Sequence, residues 1–581
     1  MSQTADTVRE REILPPGEGA GYDEVRNAFT WHVPQRFNIG WDVCGRHAAN
    51  PAVANQPALF TRAHDGGWRT HTFAEMWRDS GRLAAVLAGR GFARGDRFAI
   101  MLPQSQEVGL AHIAAYRLGL IAIPLTVLFR REALRYRLAD SGAKGIVLTL
   151  GLLPMLAEIL PELPALETVL VVDDTGAGLS SGARGEGWLE FHEALGQAHQ
   201  TPELVDTAAD EPALIIYTSG TTGNAKGALH AHHLLIGHLP GFELSQDFFP
   251  MEGDCFYTPA DWAWIGGLFD ALLATWHYGK PIVAYAPTGG FDPERMCRVM
   301  AENNVRNAFI PPTALKMMAQ VPGLGATPGL KLRAMMSGGE ALSADTLAWA
   351  ERELGVRINE IYGQTEMNYL VGNCTPLWPV RPGSMGRAYP GHEVAVVDED
   401  GRPLPTGEMG EVAVRKTGPD GQPNPVFFKE YWNNPEATAA KFIGEWGLSG
   451  DLAVMDDAGY LWFKGRKDDV IISAGYRIGP SAIEEALLNH PAVALAAVIG
   501  APDPVRGEVV KAFIRPAPGA TPNEELARSI QDHVKETLSL HEYPRAIEFV
   551  EEFPLTPTGK IRRLDLRQRE QARQAGEDTH G

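Results

Sequence analysis

From Ala58 onward, short apolar runs alternate with stretches whose apolar residues return every three or four positions. Arg97-Phe-Ala-Ile-Met-Leu102, Ile121-Ala-Ile-Pro124, Gly145-Ile-Val-Leu-Thr149 and Val169-Leu-Val-Val-Asp173 predict strands, and the period of Glu107–Leu118 predicts an amphipathic helix. Asp174–Gly187, rich in Gly, Ser and Asp, predicts a surface loop. A second run of the same kind extends from about Ala213 to Tyr362, with strands at Ile282-Val-Ala-Tyr285 and around Ala308-Phe-Ile310. Strands alternating with helices predict parallel, doubly wound α/β units.

The pattern changes over residues 383–465. Val394-Ala-Val-Val397, Glu411-Val-Ala-Val-Arg415 and Tyr460-Leu-Trp-Phe463 are separated by Gly, Pro and Asp turns, which predicts a small β-barrel or sheet. After Arg466 it changes again. Ile478–Asn489 and Asn523–Leu538 have helical periods, and Ala494–Gly500 and Val509–Ile514 predict strands, so this part is a compact α+β unit. The expected organisation is an arm over residues 1–25, a large region over 26–466 built of two α/β subdomains and a β subdomain, an α+β domain over 467–567, and a frayed polar tail over 568–581.

Composition narrows the functional classes. The 581 residues exceed what one hydrophobic core holds. A formal net charge of −20 repels nucleic-acid backbones and anionic membranes, so nucleic-acid binding is not expected. An anionic ligand must be met by local cations or backbone N–H groups. Cys44, Cys255, Cys297 and Cys374 are far apart and form no disulfide framework or zinc spacing. The N-terminus has no apolar signal region, and no apolar run approaches the roughly 18 residues of a membrane span. The cytoplasm is the expected compartment.

The strongest chemical signal is Thr218-Ser-Gly-Thr-Thr-Gly-Asn-Ala-Lys226, which follows the apolar strand Leu214-Ile-Ile-Tyr217. Glycines let a backbone approach phosphates, hydroxyls and amides donate hydrogen bonds, and lysine adds charge. It is not a Walker A loop, because Lys226 follows Ala225 and precedes Gly227. Alone, it indicates only polyphosphate binding.

This stretch resembles the phosphate loop of the adenylate-forming superfamily, which includes acyl-CoA synthetases, luciferases and adenylation domains. Further segments resemble the family's motifs in order: Ser337-Gly-Gly-Glu340, Glu360-Ile-Tyr-Gly-Gln-Thr-Glu366, Leu448-Ser-Gly-Asp451, Gly465-Arg466-Lys-Asp468, Gly475-Tyr-Arg477 and Thr556-Pro-Thr-Gly-Lys560. Ser473–Ser481 and Pro502–Phe513 are most similar to the medium-chain acyl-CoA synthetase group. The resemblance implies that a carboxylic acid, ATP and CoA give acyl-CoA, AMP and pyrophosphate through an acyl-adenylate, with Mg²⁺ as cofactor.

It also implies roles. Ser219, Gly220, Thr221, Thr222 and Gly223, between Thr218 and Lys226, cradle pyrophosphate. Gly339, Glu340, Glu360, Ile361, Tyr362, Gly363 and Gln364 border the nucleotide, with the Tyr362 ring on adenine. Thr365 reaches the α-phosphate and Glu366 holds Mg²⁺. Asp451 and Arg466 bind ribose. Arg477 and Lys560 serve the phosphate in the first step, so the catalytic set is Lys560, Thr365, Glu366 and Arg477. Asp468 is the hinge about which the C-terminal domain turns, and Ala474, Gly475, Tyr476, Arg506, Lys535 and Tyr543 match CoA-contacting positions.

Trp264, Ile265 and Gly266, in Thr258-Pro-Ala-Asp-Trp-Ala-Trp264-Ile-Gly-Gly267, fall where the family lines its acyl pocket, with Gly338 and Gly363. Acetate-specific relatives carry tryptophan at the position of Gly363 and often valine at that of Gly338. Both glycines argue against strict acetate specificity, and no cationic residue stands near the pocket motifs to pair with a second carboxylate, so the expected substrate is a monocarboxylic fatty, branched or aryl acid of short to medium size. Met367-Asn-Tyr369 departs from the small residues usual after the glutamate, with an open effect on the pocket. A free-standing adenylation enzyme that loads a carrier protein, and a non-catalytic nucleotide-binding scaffold, are the alternatives. Pro554–Lys560 also fits the pattern around which related synthetases are acetylated, making a lysine acetyltransferase a candidate partner at Lys560.

Overall fold

The computed structural model describes residues 12–13, 21–63, 66–173, 187–218, 225–287, 289–340, 342–418, 421–473, 476–503, 507–538, 543–556 and 559–577. By contacts the chain divides into two compact units. The first comprises Met1–Thr218, Ala225–Glu393 and Arg415–Glu445, and the second Ser219–Asn224, Val394–Val414 and Trp446–Gly581.

The first unit contains the two expected α/β subdomains, each built on one sheet. The eight-stranded sheet runs Glu430–Tyr431, Lys226–Ala231, Pro212–Thr218, Ile121–Pro124, Arg97–Met101, Gly145–Thr149, Thr168–Val172, Trp188–Glu190. Its strands from Pro212–Thr218 to Trp188–Glu190 are parallel. Their continuous apolar runs follow from this, since a parallel strand covered on both faces has no side to give to polar residues. The nine-stranded sheet runs Arg387–Ala388, Met367–Gly372, Ile358–Gln364, Ala334–Gly338, Asn307–Phe309, Phe256–Tyr257, Ile282–Ala284, Pro57–Arg62, Trp68–Thr72. Its strands from Ile358–Gln364 to Pro57–Arg62 are parallel. The helix Leu234–Ser245 is buried along its whole length, and its sequence is correspondingly apolar on every side apart from His238, Glu243 and Ser245.

In the second unit, antiparallel pairs form between Val394–Val397 and Met409–Arg415 and between Trp446–Met455 and Leu461–Arg466. The C-terminal part is a sheet ordered Tyr476–Ile478, Ile471–Ser473, Gly507–Pro516, Val493–Asp503, with Ala546–Phe549 parallel to Gly507–Pro516. Its helices are Pro480–Leu488, Glu524–Thr537 and Arg563–Glu577. The last is a correction, because the tail was expected to fray from residue 568. Its sequence is polar, and the helix is held by one buried leucine, Leu566, and by ion pairs: Lys511 to Glu570 at 2.5 Å and Arg573 to Glu548 at 2.7 Å.

The expected loose N-terminal arm also needs correction. Tyr22–Ala28 is a helix, and the Tyr22 hydroxyl donates to the Ala388 carbonyl at 2.8 Å. Further upstream, the backbone N–H groups of Glu12 and Ile13 each donate to the Glu243 carboxyl at 2.7 Å, and the Tyr278 hydroxyl donates to it at 2.6 Å. Burial pushes the Glu243 carboxyl up from 4.5 to about 8, against the opposing effect of these three donors. Between those two pH values the folded chain holds a proton that the unfolded chain lacks. Stability therefore falls as pH rises from about 4.5 to about 8 through this group. Glu243→Gln is expected to flatten that part of the curve, which denaturant unfolding at pH 5, 6.5 and 8 measures. A slope equal to that of the unsubstituted protein would refute the assignment.

No helix among the described residues is long and apolar enough to cross a membrane. The four cysteines are free and buried.

Candidate active site

The phosphate-loop segment joins two antiparallel strands whose ends, Thr218 and Lys226, pair with each other. Ser219, Gly220, Thr221, Thr222 and Gly223 lie outside the described residues. The base of the loop is braced on both sides. Tyr136 donates its hydroxyl to the Ala225 carbonyl at 3.0 Å, and Tyr217 donates to Asp140 Oδ2 at 2.7 Å. Trp432 Nε1 donates to the Asp140 carbonyl at 3.1 Å.

The strand Glu430–Tyr431 pairs with Lys226–Ala231 and carries a residue that no motif marked. The Tyr431 ring lies 5.2 Å from Lys226 Nζ, and its hydroxyl donates to Glu366 Oε1 in a short hydrogen bond. Tyr431 thus joins the phosphate-loop lysine to the expected metal-binding glutamate. Glu366 is buried, and Phe428 N donates to its carbonyl at 2.9 Å. Its position at the tight turn between strands Ile358–Gln364 and Met367–Gly372 sets the carboxylate.

Strands Ala334–Gly338 and Ile358–Gln364 are parallel neighbours with Gly338 opposite Ile361, so Gly338, Gly339 and Glu340 emerge at the same sheet edge as Glu360–Thr365. Glu360 is buried and accepts from Leu342 N at 3.3 Å. Its other oxygen has no partner among the described residues, and burial raises the carboxyl to about 8. Glu340 accepts from the Thr313 hydroxyl at 3.3 Å. Tyr362, Gly363, Gln364 and Thr365 are partly exposed, and Lys441, also unmarked by any motif, donates to Gln364 Oε1 at 3.2 Å.

Trp264 caps the short helix Ile265–Gly267, which continues into the π-helical turn Leu268–Leu273. The Trp264 ring stands edge-on to Phe129 at 6.1 Å. Gly266 faces Phe309, since an added Cβ would come 3.1 Å from its ring. A Cβ at Gly338 would meet Ile361 Cγ1 and its carbonyl oxygen at 2.5 Å. At Gly363 a Cβ would fall on Asn368 Oδ1 and lie 2.6 Å from Tyr369 N. The space that a side chain at position 363 would take is therefore filled by the Met367–Tyr369 segment, whose bulk the sequence left unexplained.

In the second unit, Asp451 and Arg466 sit opposite each other on paired strands and form an ion pair at 2.8 Å. Asp451 is buried, so the two residues expected at the ribose are brought together. Asp468 lies in the turn Lys467–Asp469, where Arg567 donates to its carbonyl at 3.1 Å and to Asp469 Oδ1 at 2.7 Å. Lys560 is exposed on a turn: its N–H donates to Thr556 Oγ1 at 3.0 Å, and Thr556 N donates to its carbonyl at 2.7 Å. Arg477 and Tyr476 lie on the strand Tyr476–Ile478. Ala474, Gly475 and Arg506 lie outside the described residues. The other two positions expected at CoA meet each other, with Lys535 Nζ 4.6 Å from the Tyr543 ring. Arg545 donates to the Tyr543 hydroxyl at 3.0 Å.

Two mixed α/β sheets followed by a small α+β part, with Lys226 linked through Tyr431 to a buried carboxylate, are the architecture of an adenylate-forming enzyme. The chain belongs to the AMP-binding enzyme family: residues 44–422 match the AMP-binding enzyme and residues 482–560 the AMP-binding enzyme C-terminal domain. It is 37% identical over 549 residues to the mitochondrial acyl-coenzyme A synthetase ACSM4 of Rattus norvegicus, covering 93% of this chain and 92% of that protein. It is 35% identical to the acetyl-coenzyme A synthetase of Bacillus subtilis (strain 168), covering 96% and 97%. The crystal structure of the anthranilate CoA ligase AuaEII in complex with anthranoyl-AMP matches with a TM-score of 0.82 at 29% identity, covering 94% of this chain and 99% of that one.

Proposed function

We propose that the protein is an AMP-forming acyl-CoA synthetase. The observation that carries this reading is the Lys226–Tyr431–Glu366 cluster at the base of the phosphate loop, in a chain that aligns with acyl-CoA synthetases over nearly its whole length. A carboxylate oxygen attacks the α-phosphorus of ATP and pyrophosphate leaves, giving the mixed anhydride acyl-AMP. A CoA thiolate then attacks the acyl carbon and AMP leaves. Neither leaving group needs a strong protein base, and a thiol is already partly ionised near neutral pH. The protein's task is to offset charge as an anion meets a polyanion.

Lys226 meets the pyrophosphate side of the nucleotide, Thr365 the α-phosphate, and Lys560 and Arg477 the developing charge. Asp451 and Arg466 hold ribose, and Lys535 with Arg545 serves the phosphates of CoA. Magnesium fits the donor set. It usually keeps water and substrate phosphates as ligands, so one carboxylate such as Glu366 would hold it. When bound, it neutralises triphosphate charge.

Asp468 is the pivot between the half-reactions. Asp468→Pro is expected to slow thioester formation more than pyrophosphate release, because fixing φ restricts the turn. An unchanged ratio of the two rates, measured by rapid quench, would count against a hinge there. The acid is a short- to medium-chain fatty, branched or aryl acid, and the compartment is the cytoplasm. A Cβ at Gly338 would meet Ile361 and one at Gly363 would meet Asn368, so neither glycine opens room, and this reading of the acid rests on the absence of the tryptophan and valine that acetate-specific relatives carry there.

The deciding assay is pyrophosphate release dependent on ATP, Mg²⁺ and CoA over acids graded by length, branching and aromaticity. Thioester formation that required a carrier protein in place of CoA would make the protein an adenylation enzyme instead, and no release from any acid would leave a nucleotide-binding scaffold. Lys560 is also a candidate for acetylation, which would remove the charge used in the first step. Incubation with an acetyltransferase is expected to add 42 Da (roughly, one acetyl group) at Lys560 and to lower pyrophosphate release in step; an unmodified Lys560 would remove the proposal.

A further inference from the structure

Behind the residues assigned to the acyl pocket lies a buried polar chain that the two half-reactions do not use. Asp270, on the π-helical turn Leu268–Leu273, is 2% exposed. Its Oδ1 accepts from His238 Nδ1 at 2.7 Å, and His238 is wholly buried on the helix Leu234–Ser245. Asn368, 6% exposed, donates its amide nitrogen to both Asp270 oxygens, at 2.8 and 2.7 Å. With both oxygens of a carboxylate on its nitrogen side, the Asn368 amide has one stable orientation. The amide oxygen points the other way, to the place a side chain at Gly363 would occupy. An added Cβ at Gly266 would lie 3.7 Å from Asp270 Oδ2, so the same chain also underlies the Trp264–Gly266 wall.

The oxygen of Asn368 accepts no hydrogen bond among the described residues. That oxygen keeps some accessible surface, so a donor from outside the chain can meet it, and the carboxylate and histidine behind the amide hold it in one place. Tyr369, next in the chain, is fully buried with φ at +63°, and its hydroxyl lies 2.8 Å from Ser245 Oγ. That unusual backbone places Asn368 against Gly363 across the hairpin.

We infer that Asn368 is a specificity-determining residue of the acyl pocket, held by Asp270 and His238 as positioning residues, and that its amide oxygen selects carboxylic acids bearing an N–H or O–H donor over isosteric acids without one. This rests on the acyl-CoA synthetase reading and on Gly363 and Gly266 facing the acyl group. A site that offers a fixed polar group to a substrate donor rejects the analogue lacking it far more strongly than an apolar pocket distinguishes one methylene.

The test is kcat/KM for pyrophosphate release with matched acids: benzoate against its 2-, 3- and 4-amino and hydroxy derivatives, and butanoate and hexanoate against their hydroxy derivatives. The wild type is expected to favour a donor-bearing acid by at least about tenfold in at least one set. In Asn368→Leu that acid should lose at least about ten times more than its unsubstituted partner, chiefly through KM. Asp270→Asn should reduce the same ratio, whereas a purely structural role would lower both acids alike. Binding of the matched acyl-sulfamoyl adenosines to the wild type requires no variant and should follow the same order. An active wild type with no donor preference in any set, or a ratio unchanged in Asn368→Leu, would overturn the inference alone. An enzyme inactive on every acid would overturn the synthetase reading, and the inference with it.

Discussion

Lys560→Ala is expected to cut acid-dependent pyrophosphate release by about 10²–10³-fold, the usual effect of removing one group that meets charge in the transition state. Thioester formation from supplied acyl-AMP and CoA should change by no more than a few-fold, since the mixed anhydride is already activated and the charge on the α-phosphorus is no longer rising. Lys560 is exposed, and its turn is closed by Thr556 through backbone and hydroxyl contacts that alanine keeps. The helix that follows is tied down separately by Arg563 to Glu484 at 2.6 Å and Arg567 to Asp469 at 2.7 Å. The substitution should therefore leave the melting temperature nearly unchanged, and loss of activity can be read as loss of charge. Lys560→Arg should recover part of the rate. Equal loss of both half-reactions would refute the role assigned to Lys560.

The second large effect is expected at Glu366. Glu366→Gln keeps the size of the side chain and an oxygen for the Tyr431 hydroxyl, and removes only the negative charge. Pyrophosphate release should fall by about 100-fold or more, with a higher Mg²⁺ concentration needed for half the maximal rate. Tyr431→Phe tests the neighbour. It retains the carboxylate but withdraws a donor from a buried oxygen, a cost of about 1–3 kcal/mol that corresponds to roughly tenfold or more if felt in the transition state. Lys226 would also lose the hydroxyl-bearing ring beneath it for a phenyl ring of similar shape, which retains a face for the cation. A Mg²⁺ titration separates the two variants: the half-saturating concentration should move more for Glu366→Gln than for Tyr431→Phe. No movement for Glu366→Gln would remove this residue from the metal site.

Much of this protein is written locally along its chain. The apolar runs of the parallel strands are legible because a strand covered on both faces leaves no polar side, so Ile121–Pro124 and Gly145–Thr149 stand out within a few residues. The motifs around Thr218, Glu366 and Lys560 are legible for a related reason: each puts several chemically constrained residues in one short segment. Residues paired across long stretches of sequence carry no such mark. The polar tail helix Arg563–Glu577 depends on ion pairs with strands that precede it, and its own apolar stripe is too sparse to announce it.

The same distance in sequence hid part of the site. Tyr431 reaches Glu366 across 65 residues, Asn368 reaches Asp270 across 98, and the arm at Glu12 reaches Glu243 across 231. A single tyrosine, asparagine or glutamate is common at any surface, and no periodicity or spacing singles it out. Its partner and its loss of water are set only when distant strands and helices pack. Sequence by itself determined the class of chemistry, through the short motif segments around Thr218, Glu366 and Lys560. Tertiary structure alone decided which side chains brace those segments and what closes the space beside Gly363, because those choices are made by contacts between parts of the chain that are not neighbours.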